Sequence, residues 1–159
     1  MRCPRIWGLA TVRFLLPTVL LCGAVAGTAE AQVGASVTIV DANIATEQEL
    51  SVLPQLTPTL VTSIVGARPF ASITELDALL ARTLDRAQVT ELYGRLFVHL
   101  NLNTATREQV LLIPGTGPRM AHEFQEYRPY QAMPQFRREM GKYVDDNEVA
   151  RLERYVTIK

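Results

Sequence analysis

The chain has 159 residues with 16 basic and 16 acidic side chains, so its formal net charge is zero. This balance argues against a strong nonspecific nucleic-acid binder, because such proteins usually carry a clear positive excess. The two cysteines, Cys3 and Cys22, both lie within the first 31 residues. The rest of the chain therefore has no disulfide, thiolate nucleophile or cysteine-bound metal.

The N-terminus has the layout of a secretory signal peptide. Three arginines precede an apolar run over residues 14–27, and Ala29-Glu30-Ala31 follows as a small-x-small cleavage site. The run is shorter than the ~20 apolar residues that a membrane-spanning helix needs, although an uncleaved anchor is the alternative. We expect residues 1–31 to be a signal peptide and the protein to be periplasmic, at the cell surface or secreted. The mature chain would carry 13 basic and 15 acidic residues.

The remainder of the chain repeats itself at a spacing of 60 residues without a gap. The matching segments are Asn43-Ile44-Ala45-Thr46 with Asn103-Thr104-Ala105-Thr106, Pro54 and Pro58 with Pro114 and Pro118, and Arg68-Pro69-Phe70 with Arg128-Pro129-Tyr130. A period of this kind determines the architecture before any motif is considered. We predict a short linker or extended segment over residues 32–40, then two tandem units over residues 41–98 and 99–159.

Each unit is predicted to contain four short helices, and the fold class is all-α. Apolar side chains recur at helical spacing, and short extended pieces occur only near residues 37–40 and 98–102. The expected helix starts are capping boxes or first-turn prolines: Thr46 and Thr106, Pro58 and Pro118, Ser72 or Pro134, and Asp85 and Asp145.

The turn between the first two helices of the second unit has the chemistry of an anion site. It reads Pro114-Gly115-Thr116-Gly117 before Pro118, and two glycines allow a tight bend with positive φ and close approach to their N–H groups. The following helix N-terminus favours an anion such as a phosphate. Arg119 could add a charge-assisted contact and Thr116 a hydroxyl, although a plain tight turn is the alternative.

These residues resemble the helix-hairpin-helix domain of the ComEA family. The resemblance rests on Asn103-Thr104-Ala105-Thr106, on residues 113–118, on Ala121 and on Tyr127-Arg128. It implies an exported, competence-type protein that binds double-stranded DNA without reading its sequence, with Gly115, Thr116, Gly117 and Arg119 at the phosphate backbone.

The other candidate hairpins depart from that family pattern. The first unit has Gln55 and Thr57 in place of the two glycines, and their side chains disfavour positive φ and crowd a phosphate. The second hairpin of each unit, residues 81–84 and 141–144, also lacks a Gly-x-Gly sequence. Among the four candidate hairpins, we therefore expect only residues 114–118 to bind phosphate.

A second resemblance favours a different function. Thr57-Pro58-Thr59-Leu60 and Arg68-Pro69-Phe70 are similar to PsbU, an exported extrinsic protein of photosystem II that uses a related fold for protein docking. This resemblance implies a structural module that binds another exported or membrane protein and does not bind DNA.

Other polar residues are expected to be structural. His99 and His122 are far apart in sequence and have no partners at the spacing of metal ligands. The pair Asp145-Asp146 is typical of a helix N-cap. We predict no catalytic residues, metal, cofactor or small-molecule substrate, so the protein is not expected to be an enzyme.

The two units differ in charge. Residues 41–98 hold four basic and seven acidic residues, whereas residues 99–159 hold nine basic and eight acidic residues. The less acidic unit is also the one with the glycine hairpin. We predict that the second unit binds double-stranded DNA weakly and in a salt-sensitive way, while the first supports it or docks elsewhere.

Overall fold

The computed structural model describes residues 38–159. The predicted signal peptide, and the predicted linker up to residue 37, lie outside the described residues. Eight helices occur in the described part: α1 (Glu47–Ser51), α2 (Pro58–Gly66), α3 (Ile73–Leu80), α4 (Arg86–Leu92), α5 (Arg107–Val110), α6 (Pro118–Glu126), α7 (Met133–Met140) and α8 (Asp146–Glu153). The protein is mainly helical, as the sequence predicted.

Four short strands modify the all-α prediction. They are β1 (Val40–Asp41), β2 (Leu96–Phe97), β3 (Leu100–Asn101) and β4 (Val156–Thr157). Strand β1 pairs in parallel with β2, with Val40 opposite Leu96. Strand β3 pairs in parallel with β4, with Leu100 opposite Val156. We call β1 to β2 the first repeat and β3 to β4 the second repeat, since equivalent strand residues lie 60 positions apart.

Local capping interactions begin most helices where the sequence predicted them, although Ser72, the N-cap of α3, makes no capping bond through its side chain. The side chains of Thr46, Thr106 and Asp85 each form a complete capping box. Asp145 accepts a hydrogen bond from the Glu148 N–H, but the box is half formed because the Glu148 carboxylate bonds Arg151 instead. Helix α7 begins at Met133, one residue before the predicted proline.

An asparagine in each repeat ties the loop after the first strand to the loop before the third helix. Asn103 accepts from the Tyr130 N–H at 2.7 Å and donates to the Tyr130 carbonyl at 3.0 Å. Asn43 makes the same two bonds to Phe70, at 2.7 and 3.1 Å. Because each side chain satisfies a donor and an acceptor on one residue, it fixes the loop more firmly than a single bond.

The arginine of each Arg-Pro pair supports the same loop. Arg128 donates from Nε to the Leu102 carbonyl and from Nη2 to the Ala105 carbonyl, both at 2.6 Å. Arg68 donates from Nε to the Ala42 carbonyl at 2.7 Å. Both arginines therefore donate to carbonyls of the loop after the first strand.

The two repeats share one hydrophobic core. The ring of Phe97 in the first repeat meets that of Tyr155 in the second edge to face, with centroids 4.9 Å apart. Tyr93 packs against Phe97 in the same manner at 5.4 Å. Ile39 is also buried, so the end of the predicted linker belongs to the core. Within residues 38–159, no helix combines the length and apolar character needed to cross a membrane.

Candidate functional site

The glycine hairpin of the second repeat connects α5 to α6, and its two glycines differ in conformation. Gly115 has a φ of 78°, in the region that favours glycine. Gly117 has a φ of −94° and a ψ of 173° and is the N-cap of α6, a conformation that any residue can adopt. Positive φ was expected at both glycines; it occurs at Gly115 and not at Gly117. A Cβ on Gly117 would have no protein atom within 4 Å, so the space beside it is open.

The two repeats differ in how the helix after this turn is capped. In the first repeat the Thr57 hydroxyl accepts from the Leu60 N–H at 3.3 Å. In the second repeat Gly117 stands in place of Thr57, and no side chain caps α6. Within the described residues, the N–H groups of Gly115 and Gly117 form no hydrogen bond. The first turn of α6 therefore presents free donors at the positive end of the helix dipole.

Thr116 lies between these glycines but faces inward. Its N–H donates to the Ile113 carbonyl at 3.0 Å, and its Oγ1 is buried without a hydrogen-bond partner in residues 38–159. The equivalent residue of the first repeat is Leu56, which is buried in the core. The expected hydroxyl contact with a phosphate is thus not available in this conformation, and Thr116 contributes packing under the turn.

Three arginines from three helices surround the glycine hairpin. Arg107 in α5 donates to the carbonyl of Pro118, in the first turn of α6, at 3.2 Å. Arg119 in α6 is exposed. Arg151 in α8 lies beside the turn, with Nη2 3.5 Å from where a Cβ on Gly115 would stand. The sequence predicted only Arg119; the structure adds Arg107 and Arg151.

The same three positions in the first repeat have the opposite or no charge. They are occupied by Glu47, Thr59 and Glu91, the residues 60 positions before Arg107, Arg119 and Arg151. The difference in total charge between the units is therefore concentrated around the hairpin. Comparing the repeats position by position would have revealed the two missed arginines, whereas total charge did not.

These arginines are held in place by neighbouring side chains. Arg151 is paired with Glu148 at 2.6 Å, and this hydrogen bond raises the pKa of Arg151 above its usual value. The Arg119 guanidinium carbon lies 5.7 Å from the ring centroid of Tyr143, within cation–π range. Hydrogen bonds first to Tyr127 and then to Glu123 raise the pKa of the Tyr143 phenol, so its ring stays neutral at physiological pH.

The densest basic cluster of the sequence, on α7 and the turn after it, is engaged in ion pairs. Arg137 pairs with Glu153, while Arg138 and Lys142 both pair with Glu139. The hydrogen bonds from Lys142 and then Arg138 hold the pKa of Glu139 below its usual value. Because each cation already has a carboxylate partner, this cluster offers less unneutralised charge than the hairpin. Of the three arginines at the hairpin, only Arg151 has an ion pair within residues 38–159.

The histidines have separate surroundings. His99 Nδ1 lies 2.7 Å from Asp41 Oδ2, and His122 lies 3.8 Å from Glu126 on the surface of α6. Within residues 38–159, no group of three or more histidine, cysteine or acidic side chains is arranged to hold a metal ion.

Comparison of the chain with protein-family models, with curated proteins and with solved structures returned no match.

Proposed function

We propose that this is an exported, non-enzymatic tandem helix-hairpin-helix protein whose second repeat binds the backbone of double-stranded DNA without sequence preference. The observation that carries the proposal is the difference between the equivalent hairpins of the two repeats. The second repeat has an uncapped helix N-terminus with three arginines around it. The first repeat has a threonine cap there and glutamates at two of the three arginine positions.

The proposed contact is a phosphate group seated at the start of α6. The N–H groups of Gly115 and Gly117 and the first turn of α6 supply neutral donors, and the helix dipole adds a partial positive charge. Arg107, Arg119 and Arg151 supply charge to the same phosphate or to its neighbours along the strand. None of these groups reads a base edge, so the binding is insensitive to sequence.

The number of groups sets the strength of binding. A hairpin of this size, with three arginines, contacts about two or three phosphates, which gives a slope of about −2 to −3 in a plot of log affinity against log salt concentration. Such binding is weak and decreases strongly between about 50 and 200 mM salt. A single intact hairpin in a mature chain with more acidic than basic residues is consistent with this weak affinity.

The test exchanges the cap between the repeats. Gly117→Thr introduces the side chain that caps α2 in the first repeat, so its hydroxyl would occupy the Met120 N–H while the helix stays capped and folded. We expect Gly117→Thr to abolish binding to short duplex DNA of mixed sequence, measured by fluorescence anisotropy at about 50 mM salt. The matched control is Thr57→Gly in the first repeat, which should leave DNA affinity unchanged.

Two results would remove the proposal. One is the absence of DNA binding by the folded wild-type chain at low salt, which would leave the docking alternative. The other is binding that survives Gly117→Thr, since the free donors of α6 would then have no part in it. Sequence independence is checked with a second duplex of different base composition, which should bind with the same affinity and the same salt slope.

A further inference from the structure

The first repeat has an open groove in a region that tyrosine side chains partly fill in the second repeat, where a smaller cavity of about 260 Å³ remains beside Tyr143. The groove lies between α2, the end of α3 and the turn after it, and has a volume of about 450 Å³. Leu60 and Leu79 form its apolar base, while small residues and one arginine form its rim. Its lining residues are Leu60, Ser63, Gly66, Ala67, Leu79, Arg82 and Thr83.

Two of the equivalent positions in the second repeat carry aromatic residues. Tyr127 and Tyr143 stand in place of Ala67 and Thr83. Their hydroxyl oxygens lie 2.7 Å apart and their ring centroids 6.4 Å apart. Two aromatic rings therefore occupy, in the second repeat, the region that alanine and threonine leave open in the first.

The cation at the rim also has partners in the second repeat that it lacks in the first. In the second repeat Lys142 lies 4.7 Å from the ring centroid of Tyr127 and pairs with Glu139. The equivalent cation of the first repeat is Arg82, and Leu79 stands in place of the glutamate. Within residues 38–159 the Arg82 guanidinium has neither an ion pair nor an aromatic ring against it. The carboxylate of Asp77, on α3, is already paired with Arg86 at 2.8 Å.

We infer that this groove binds an aromatic side chain of a partner protein, with an acidic group next to that ring paired to Arg82. The second repeat indicates which groups fit this region, because there the tyrosine rings and the Glu139 carboxylate come from the chain itself. Arginine stacks on aromatic faces and pairs with carboxylates more readily than lysine does. The inference concerns the opposite repeat from the proposed DNA site and does not depend on it.

A second copy of the chain is a poor occupant. Every aromatic side chain within residues 38–159 is buried or half-buried, and the two half-buried ones, Tyr127 and Tyr143, are bonded to each other. The folded part of another copy therefore presents no free ring to the groove.

The test uses the full chain and a small probe, 4-hydroxyphenylacetate, which carries a phenol ring and a carboxylate. We expect saturable binding with a millimolar Kd, because so small a ligand makes few contacts. The binding should shift the amide signals of Gly66, Ala67 and Thr83 in NMR titrations. Arg82→Gln should weaken binding about two- to fivefold, as the loss of an exposed cation–π contact implies. Cyclohexylacetate, which keeps the carboxylate and lacks the π face, should bind more weakly to the wild-type chain.

Exchanging the groove residues between the repeats provides the sharpest control. Ala67→Tyr with Thr83→Tyr should fill the groove and remove binding. Tyr127→Ala with Tyr143→Thr and Glu139→Leu should create a second binding site in the other repeat, because the loss of Glu139 frees Lys142 to pair with the probe. Arg82→Gln changes an exposed side chain, so it keeps the test valid if either multiple variant fails to fold.

Several results would overturn the inference. They include shifts confined to other parts of the chain, and equal affinity for the two probes. A concentration-dependent dimer that the filled variant abolishes would assign the groove to a second copy. Binding that occurs only after Trp7→Ala and Phe14→Ala would show that the N-terminal segment of the chain already occupies it.

Discussion

The two hairpin glycines are predicted to differ in what they contribute to stability. Gly115 has a φ of 78°, and a residue with a Cβ loses about 1–2 kcal/mol in that region. The added Cβ would meet Arg151 Nη2 at 3.5 Å, an ordinary contact, so Gly115→Ala should cost about 1–2 kcal/mol from backbone strain alone. Gly117 already has the backbone of an ordinary N-cap, and Gly117→Ala should cost only about 0.5 kcal/mol.

Thermal and urea denaturation followed by circular dichroism measure the difference. A loss of 1 kcal/mol lowers the Tm of a domain of this size by about 3–6 °C, so Gly115→Ala should melt several degrees below Gly117→Ala. Gly115→Asn is the matched control, because asparagine tolerates the left-handed region better than alanine. Equal melting temperatures for the two alanine variants, or no advantage of asparagine over alanine at position 115, would refute this reasoning.

Three further predictions concern buried polar groups. Thr116→Val removes a buried hydroxyl that has no partner in the described residues, so it should raise stability by about 1 kcal/mol in urea denaturation; a loss would mean that the hydroxyl is satisfied. Asn103→Ala leaves the N–H and carbonyl of Tyr130 without their partner and should cost about 1–3 kcal/mol, whereas an unchanged midpoint would mean that solvent replaces both bonds. Burial and then the Asp77 hydrogen bond raise the pKa of Tyr93. The neutral phenol therefore contributes stability below its unfolded pKa of about 10 that is lost as the pH rises above it, and Tyr93→Phe should reduce this alkaline loss in pH-dependent melts.

The helices were predictable from the sequence because their start signals are local. The Thr46, Asp85 and Thr106 capping boxes and the prolines at the second helices involve residues within three positions of each other. The extended pieces expected near residues 37–40 and 98–102 include β3 and part of β1, but β2, β4 and the pairing of the strands could not be predicted in the same way. The pair Val40 and Leu96 joins residues far apart in sequence, and a two-residue strand is too short to show an alternating pattern.

The sequence predicted the backbone turn of the candidate site but did not predict two of the arginines around it. The glycine pair indicated the tight turn directly, but Arg107 and Arg151 reach the turn from α5 and α8, on either side of it in sequence. Only the tertiary packing brings them together, and no motif marks them. The predicted phosphate contact of Thr116 was wrong. A hydroxyl next to two exposed glycines suggests solvent exposure, but the hairpin directs the side chain at this position into the core, as it does with Leu56 in the first repeat.

The parallel strand pair that closes each repeat also determines how the chain carries a mechanical load. In the first repeat the chain enters at β1 and leaves at β2, and the two strands run in the same direction. A force that pulls the ends of the repeat apart acts along the strands in opposite senses. The bonds from the Val40 N–H to the Arg95 carbonyl and from the Ala42 N–H to the Phe97 carbonyl, both 2.8 Å, are then sheared together and not broken one by one. The second repeat has the same arrangement, so two such clamps lie in series along the chain.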